Sequence, residues 1–128
     1  MKESRNTIQR GLVLNAVKTL NCHPTANEVY SEVIKIAPNI SRSTVYRNLN
    51  LLSENGEIIH IKLPDGADCY DCRTDNHYHA HCRICGKVTD VNMPYISDLL
   101  KNISPDDDFH YESHSLIFIG VCKECANE

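Results

Sequence analysis

The segment "EIIHIKLPDGADCYD", residues 57–71, decides the fold. Its first seven residues read as a β-strand, Pro64-Asp65-Gly66 as a turn, and "ADCYD" as a returning strand. Upstream the periodicity is helical. Three helices followed by a β-hairpin is the plan of a winged helix-turn-helix.

The three helices are set by spacing and by caps. Ile8, Leu12, Ala16 and Leu20, with Val13 and Val17, place an amphipathic helix before the break at "NCHPT". Thr25 followed by Glu28 forms a capping box for a second helix that buries Ala26, Val29, Tyr30, Val33 and Ile34 and ends before Pro38. Ser41 caps a third helix that ends near Gly56, with Val45, Leu49 and Leu52 as its inner stripe. The opposite face of that helix carries Arg42, Ser43, Tyr46, Arg47 and Asn50. Cations suit phosphate, hydroxyls suit phosphate or base, and a tyrosine suits stacking or a thymine methyl. The competing reading is an ordinary solvated helix face.

The totals fit one domain or two small ones: 128 residues, 41% hydrophobic and 23% charged. No apolar run is long enough for a bilayer, and no signal-peptide core precedes the first helix, so we expect a cytoplasmic protein with no membrane partner. In that compartment seven cysteines argue for metal binding or redox chemistry rather than disulfides. The net charge of −4 hides an asymmetry. Residues 1–63 carry eight Lys/Arg against five Asp/Glu (+3), and residues 64–128 carry five against twelve (−7). An anionic partner would meet the first half.

In the second half, Cys82-x-x-Cys85-Gly86 and Cys122-x-x-Cys125 form two knuckles. Two such knuckles complete a tetrahedral all-thiolate zinc site with no open position, so that zinc, one per chain, is structural. It ties the start of this half to its end across an expected helix, "YISDLLKN" (95–102), and an expected strand, "HSLIFIGV" (114–121).

The histidines need a separate account. In an extended strand His77, His79 and His81 share one face, and Tyr78 and Ala80 take the other. They make only part of a site. Asp71, Asp90 and His23 are the available partners, and a mixed His/Asp set suits Fe(II) or Mn(II) better than a structural zinc, without excluding Zn(II).

"HPTANEVY", "STVYRNL", "DNHYHAHCRICGKVTD" and "GVCKEC" together resemble the ferric uptake regulator (Fur) family of bacterial metal-dependent repressors. The agreement runs in order over nearly the whole chain. The resemblance implies an α+β protein. A winged-helix DNA-binding domain would cover residues 1–72, and an α/β metal-binding dimerisation domain, with the four-cysteine zinc, residues 73–128. It implies a homodimer that binds double-stranded operator DNA and is not an enzyme. Within the family the chain is most similar to the peroxide-sensing branch, PerR. That similarity implies one regulatory Fe(II) or Mn(II) per chain on His23, Asp71, His77, His79 and Asp90, with His23 and His77 the imidazoles oxidised by peroxide. Iron-sensing relatives commonly carry glutamate at the position of Asp90.

The chain also departs from the pattern. Thr7-Ile8-Gln9-Arg10 replaces Thr-Pro-Gln-Arg, and Cys69 and Cys72 flank Asp71. Zinc-sensing members use a cysteine in that neighbourhood, so Zn(II) sensing and iron sensing are the alternatives; ordinary reduced strand cysteines are the simpler reading. A further metal site used by some members is disfavoured by Asn76, Tyr78 and Ser97, although His114 is present. His60, His81 and His110 read as surface or packing residues, and Cys22 has no partner in the sequence. Two other classes compete. A metalloenzyme built on His77, His79 and an aspartate lacks any base-carrying metal motif. A zinc-ribbon interaction module leaves the arginine face of the third helix without a role.

Overall fold

The computed structural model describes residues 4–21, 23–64, 67–104 and 108–127. The chain divides into two compact units, Met1–Asp75 and Asn76–Glu128.

In the first unit, α1 (Arg5–Leu20), α2 (Ala26–Val33) and α3 (Arg42–Glu54) precede a two-stranded antiparallel sheet, β1 (Ile59–Ile61) and β2 (Cys69–Asp71). Each helix starts on a side-chain cap: Ser4 accepts from the Thr7 amide, Thr25 from Glu28 and Ser41 from Thr44. The capping box at Thr25 is complete, with the Glu28 carboxylate accepting from the Thr25 amide at 3.1 Å. α3 ends in a Schellman motif: Glu57 N–H reaches Leu52 C=O at 2.9 Å, Gly56 N–H reaches Ser53 C=O at 3.1 Å, and Gly56 takes φ +76°. That left-handed residue turns the chain out of the helix and into β1.

The core unites Val13, Ala16 and Val17 of α1, Val29 and Val33 of α2, and Val45, Leu49 and Leu52 of α3 with Ile40, Ile58 and Tyr70. Ile8 departs from the expected stripe and is 50% exposed. The first turns of α1 run beyond the packed cluster, so a residue in register by spacing has nothing to bury against. Asn48 is buried on α3 and satisfied within the helix, donating from Nδ2 to Thr44 C=O at 2.9 Å.

Both hairpin strands are shorter than the expected 57–63 and 67–71; the turn residues Asp65 and Gly66 lie outside the described residues. β2 is nonetheless anchored to the rest of the unit. Tyr70 N–H donates to Pro24 C=O at 2.9 Å, and Thr25 forms a bridge with Cys69. The turn between α1 and α2 is thereby held against the wing.

In the second unit, β3 (Tyr78–Cys82) is the centre of a three-stranded sheet, antiparallel to β4 (Val88–Val91) and parallel to β5 (Ile117–Gly120). The helix expected over 95–102 is instead a single 3-10 turn, Leu99–Asn102, with bonds such as Lys101 N–H to Asp98 C=O at 3.0 Å. Eight residues directly after Pro94 give too little apolar face for a longer helix to bury. A final short helix, α4 (Lys123–Ala126), follows β5. Among the described residues no helix is long and apolar enough to cross a membrane.

Candidate metal centres and nucleic-acid interface

The four knuckle cysteines meet in the second unit. One sulfur from each of Cys82, Cys85, Cys122 and Cys125 lies within 4.8 Å of the others, and Cys85 Sγ is 3.7 Å from Cys122 Sγ. Strand register produces this meeting. Parallel pairing sets Gly120 opposite Cys82, and Arg83 N–H donates to Gly120 C=O at 2.9 Å, so the second knuckle leaves β5 beside the first. Gly86, at φ +82°, closes the first knuckle with its N–H on Cys82 C=O at 3.0 Å.

Backbone amides converge on the Cys82 sulfur, from Cys122 at 3.3 Å and from Cys85 at 3.5 Å. These two donors, Cys122 first, hold the Cys82 thiol down to about 5. Cys125 is pushed up to about 12, chiefly by its hydrogen bond with Cys122, because crowded thiols cannot all ionise. A divalent cation among them removes that conflict. Four soft donors gathered in this way make a tetrahedral thiolate site, and zinc is the ion such a set fits.

The histidines and aspartates form two clusters, each within its own unit. In the first unit His23 sits in the α1–α2 turn at φ +53°, with Nε2 3.4 Å from Asp71 Oδ2. The Pro24–Tyr70 and Thr25–Cys69 contacts bring that turn to the end of β2, where Asp71 accepts from Arg73 N–H at 2.9 Å. Both side chains are largely buried, at 12% and 9% exposure.

In the second unit His77 Nε2 and His79 Nε2 approach the same Asp90 oxygen, at 3.1 Å and 3.5 Å. The antiparallel register places His79 opposite Asp90, and the two imidazole rings are 4.5 Å apart. Two imidazole nitrogens directed at one carboxylate oxygen, both rings nearly buried, form a donor cluster suited to a cation of borderline or hard character.

The remaining histidines are occupied elsewhere. His81 is buried in the sheet opposite Val88 and Ile119. His60 pairs with Asp68 at 2.9 Å and stacks on Tyr70, and His110 is exposed. His114 uses both ring nitrogens: Nε2 meets the Tyr78 hydroxyl at 2.7 Å and Nδ1 the Tyr95 hydroxyl at 3.3 Å. The same Tyr78 oxygen accepts from Ile96 N–H at 3.0 Å. With both ring nitrogens hydrogen-bonded to tyrosine hydroxyls, the His114 ring is a structural tie. Cys69 is buried, which pushes its thiol up, and Cys72 lies 3.8 Å from Asn21 Oδ1. Neither joins a metal-binding cluster among the described residues; Cys22 lies outside them.

Arg42, Ser43, Tyr46, Arg47 and Asn50 are all exposed on α3. Sequence reasoning missed Asn27, in the first turn of α2, whose Oδ1 accepts from both the Arg42 guanidinium and the Tyr46 hydroxyl. A polar residue one position before the Glu28 of a capping box carries no signal of a tertiary contact.

A profile described as the ferric uptake regulator family matches residues 1–119. The chain belongs to that family. Fur-family members are transcriptional regulators, not enzymes. The chain is 34% identical over 124 residues to the peroxide-responsive repressor PerR of Staphylococcus aureus, covering 97% of this chain and 84% of that protein. Its fold is similar to that of the Helicobacter pylori ferric uptake regulator, described as having three functional metal-binding sites, with TM-score 0.78 and 25% identity over 98% of this chain and 83% of that one. It is also similar to the Campylobacter jejuni peroxide stress regulator, with TM-score 0.71 and 30% identity over 94% and 91% of the two chains.

Proposed function

We propose that this Fur-family protein is a homodimeric, DNA-binding repressor that senses peroxide through Fe(II) or Mn(II) on His23, Asp71, His77, His79 and Asp90. The observation that carries the reading is the shared approach of His77 and His79 to Asp90, with His23 directed in the same way at Asp71. Three imidazoles and two carboxylates form a nitrogen and oxygen set, harder than the thiolates of the other cluster. Zn(II) would occupy Cys82, Cys85, Cys122 and Cys125 permanently.

The regulatory set draws on both units, and that gives it leverage. His23 and Asp71 ride on the turn and strand that frame the winged helix; His77, His79 and Asp90 ride on the sheet. Joining them would fix the orientation in which α3 is offered to the major groove. Arg42, Ser43, Tyr46, Arg47 and Asn50 would meet the operator. The exposed edge of β5, with Phe118 and Ile119 at 45% and 58% exposure, supports association with a second copy.

Fe(II) held by these residues would activate hydrogen peroxide, which would transfer one oxygen to a neighbouring imidazole and leave as water, chemistry that Mn(II) does not support. His23 and His77 are the residues that would gain oxygen; an oxidised ligand holds metal poorly, and operator binding is then lost. Metal analysis of protein purified without chelator, paired with operator binding before and after peroxide, tests this. We expect zinc plus iron or manganese. The Fe(II) form should lose binding and gain one oxygen in mass on His23 or His77, while the Mn(II) form is spared. Peptide mapping separates this from cysteine oxidation.

A zinc sensor is the second reading. It is favoured by the Cys72 thiol, which contacts Asn21 two residues before His23. Binding activated by Zn(II) alone, and abolished by Cys72→Ser, would establish it in place of the peroxide sensor.

A further inference from the structure

We propose that Asn27, on α2, is a positioning residue for the DNA face of α3: by bracing Arg42 and Tyr46 it makes Tyr46 meet DNA with its ring rather than its hydroxyl. The inference rests on the reading of α3 as the recognition helix.

The orientation of the Asn27 amide follows from its partners. A guanidinium only donates, so the Asn27 oxygen, not its NH2 group, must face Arg42. The same oxygen accepts from the Tyr46 hydroxyl at 3.0 Å. Tyr46 has one hydroxyl proton, and Asn27 takes it. The hydroxyl then has nothing to donate to guanine N7 or O6 or to adenine N7. What Tyr46 still offers the major groove is an aromatic ring, suited to the thymine methyl.

Arg42 is confined from two sides. Besides its bond to Asn27, its guanidinium carbon lies 4.5 Å from the centroid of the Tyr30 ring, also on α2. With one Nη1 N–H on Asn27 and its face on Tyr30, Arg42 keeps its remaining in-plane N–H groups, which suit a phosphate. Arg47 differs. It is exposed one residue beyond Tyr46, and among the described residues it meets no hydrogen-bond or ion-pair partner. The face of α3 is thus divided between a braced half, Arg42 and Tyr46, and a free half, Arg47 with Asn50. Side chains ordered before binding lose less entropy on contact. The brace therefore favours the one DNA surface that matches it.

The test uses the full-length, zinc-loaded, Mn(II)-activated protein. Its probes are a duplex that the unmodified protein enriches from a randomised library and a scrambled duplex of equal length. Asn27→Ala and Tyr46→Phe should each weaken binding to the enriched duplex by about three- to tenfold, the size of one or two exposed hydrogen bonds. Affinity for the scrambled duplex, melting temperature and dimer mass should not change. The double variant should be no worse than the weaker-binding single variant, because both changes break the same bond. Losses that multiply would mean that the Tyr46 hydroxyl acts on DNA directly, and the proposal would fall. It would fall as well if Asn27→Ala bound like the unmodified protein while Arg47→Ala abolished binding; recognition by α3 would survive that result. Full affinity in Arg47→Ala and Tyr46→Ala together would remove both.

Discussion

The two kinds of metal cluster in this chain contrast in where their donors come from. The four cysteines all belong to the second unit and are brought together by one strand register, β3 alongside β5. The nitrogen and oxygen donors are distributed, with His23 and Asp71 on the first unit and His77, His79 and Asp90 on the second. A site completed inside one unit contributes to folding that unit. A set drawn from both units, as proposed above, would report on how they are arranged. On that proposal, permanence and responsiveness would be set by the placement of ligands in the chain as much as by ligand softness.

Breaking the closed cluster should have the largest effect. Cys122→Ser leaves three thiolates, and structural zinc in small domains carries on the order of 10 kcal/mol of binding and folding free energy. Circular dichroism and metal analysis should show a zinc-free protein with a disordered second unit that no longer dimerises. A folded, zinc-loaded Cys122→Ser dimer would erase the contrast.

Removing a donor from the distributed set should act on binding and spare the fold. Asp90→Ala or His77→Ala should lower Mn(II)-dependent operator affinity by about a hundredfold, as loss of one metal ligand implies, with one zinc per chain retained. Loss of zinc in either variant would show that the two clusters are not separable. Asp90→Glu sharpens the point, and should blunt the peroxide response while leaving metal-dependent binding in place.

A smaller effect belongs to the aromatic tie. His114→Ala deprives the buried Tyr78 hydroxyl of a hydrogen-bond partner and should cost about 1–3 kcal/mol in denaturant unfolding of metal-loaded protein. Metal stoichiometry should not change, since neither ring nitrogen is spare. A drop in bound metal would make His114 a ligand after all.

The smallest effect is a matter of one proton. Cys82 is held down to about 5, so in a folded, metal-free unit it is a thiolate above that pH and a thiol below it. A depressed pKa of this kind contributes stability that is fully present only above the unfolded thiol range and is lost as pH falls through about 5. Because the zinc-free second unit is expected to be disordered, zinc rebinding at neutral pH should release about four protons, where a unit that stayed folded with Cys82 held down would release about three, measured by calorimetry in buffers of different ionisation enthalpy. Release of four at neutral pH would mean that the backbone N–H donors to Cys82 exist only once the metal is bound.

Legibility in the sequence followed the distance over which each feature is decided. The caps at Thr25 and Ser41 and the exit at Gly56 are local decisions, and the first unit formed around them as the pattern required. The C-x-x-C pairs announced a shared site because their spacing has few other uses. Ile8 misled because periodicity marks a face without saying how far the neighbouring helices extend along it. Residues 95–102 misled because an apolar run too short to choose a helix was finished as a 3-10 turn. The pairing of His79 with Asp90 needs a β register, and the bond from Asn27 to Tyr46 links residues 19 apart on different helices. Neither has a local signature.

The parallel pairing of β3 with β5 has a consequence for how fast this protein is made. His79 faces Ile117 and Cys82 faces Gly120, so the sheet closes a loop of nearly forty residues with little regular structure of its own. The length-dependent cost of closing such a loop is about 3 kcal/mol, and it falls before the pairing that rewards it. The helices of the first unit start on local side-chain caps, Ser4, Thr25 and Ser41, before they pack on one another. Zinc held first by Cys82 and Cys85 would catch Cys122 and Cys125 as they diffuse past and hold the strand ends together while the ladder forms. In stopped-flow refolding the ion would then act as a nucleation site, and newly made chains in a zinc-starved cell would wait as half-folded molecules with a finished head and an open sheet.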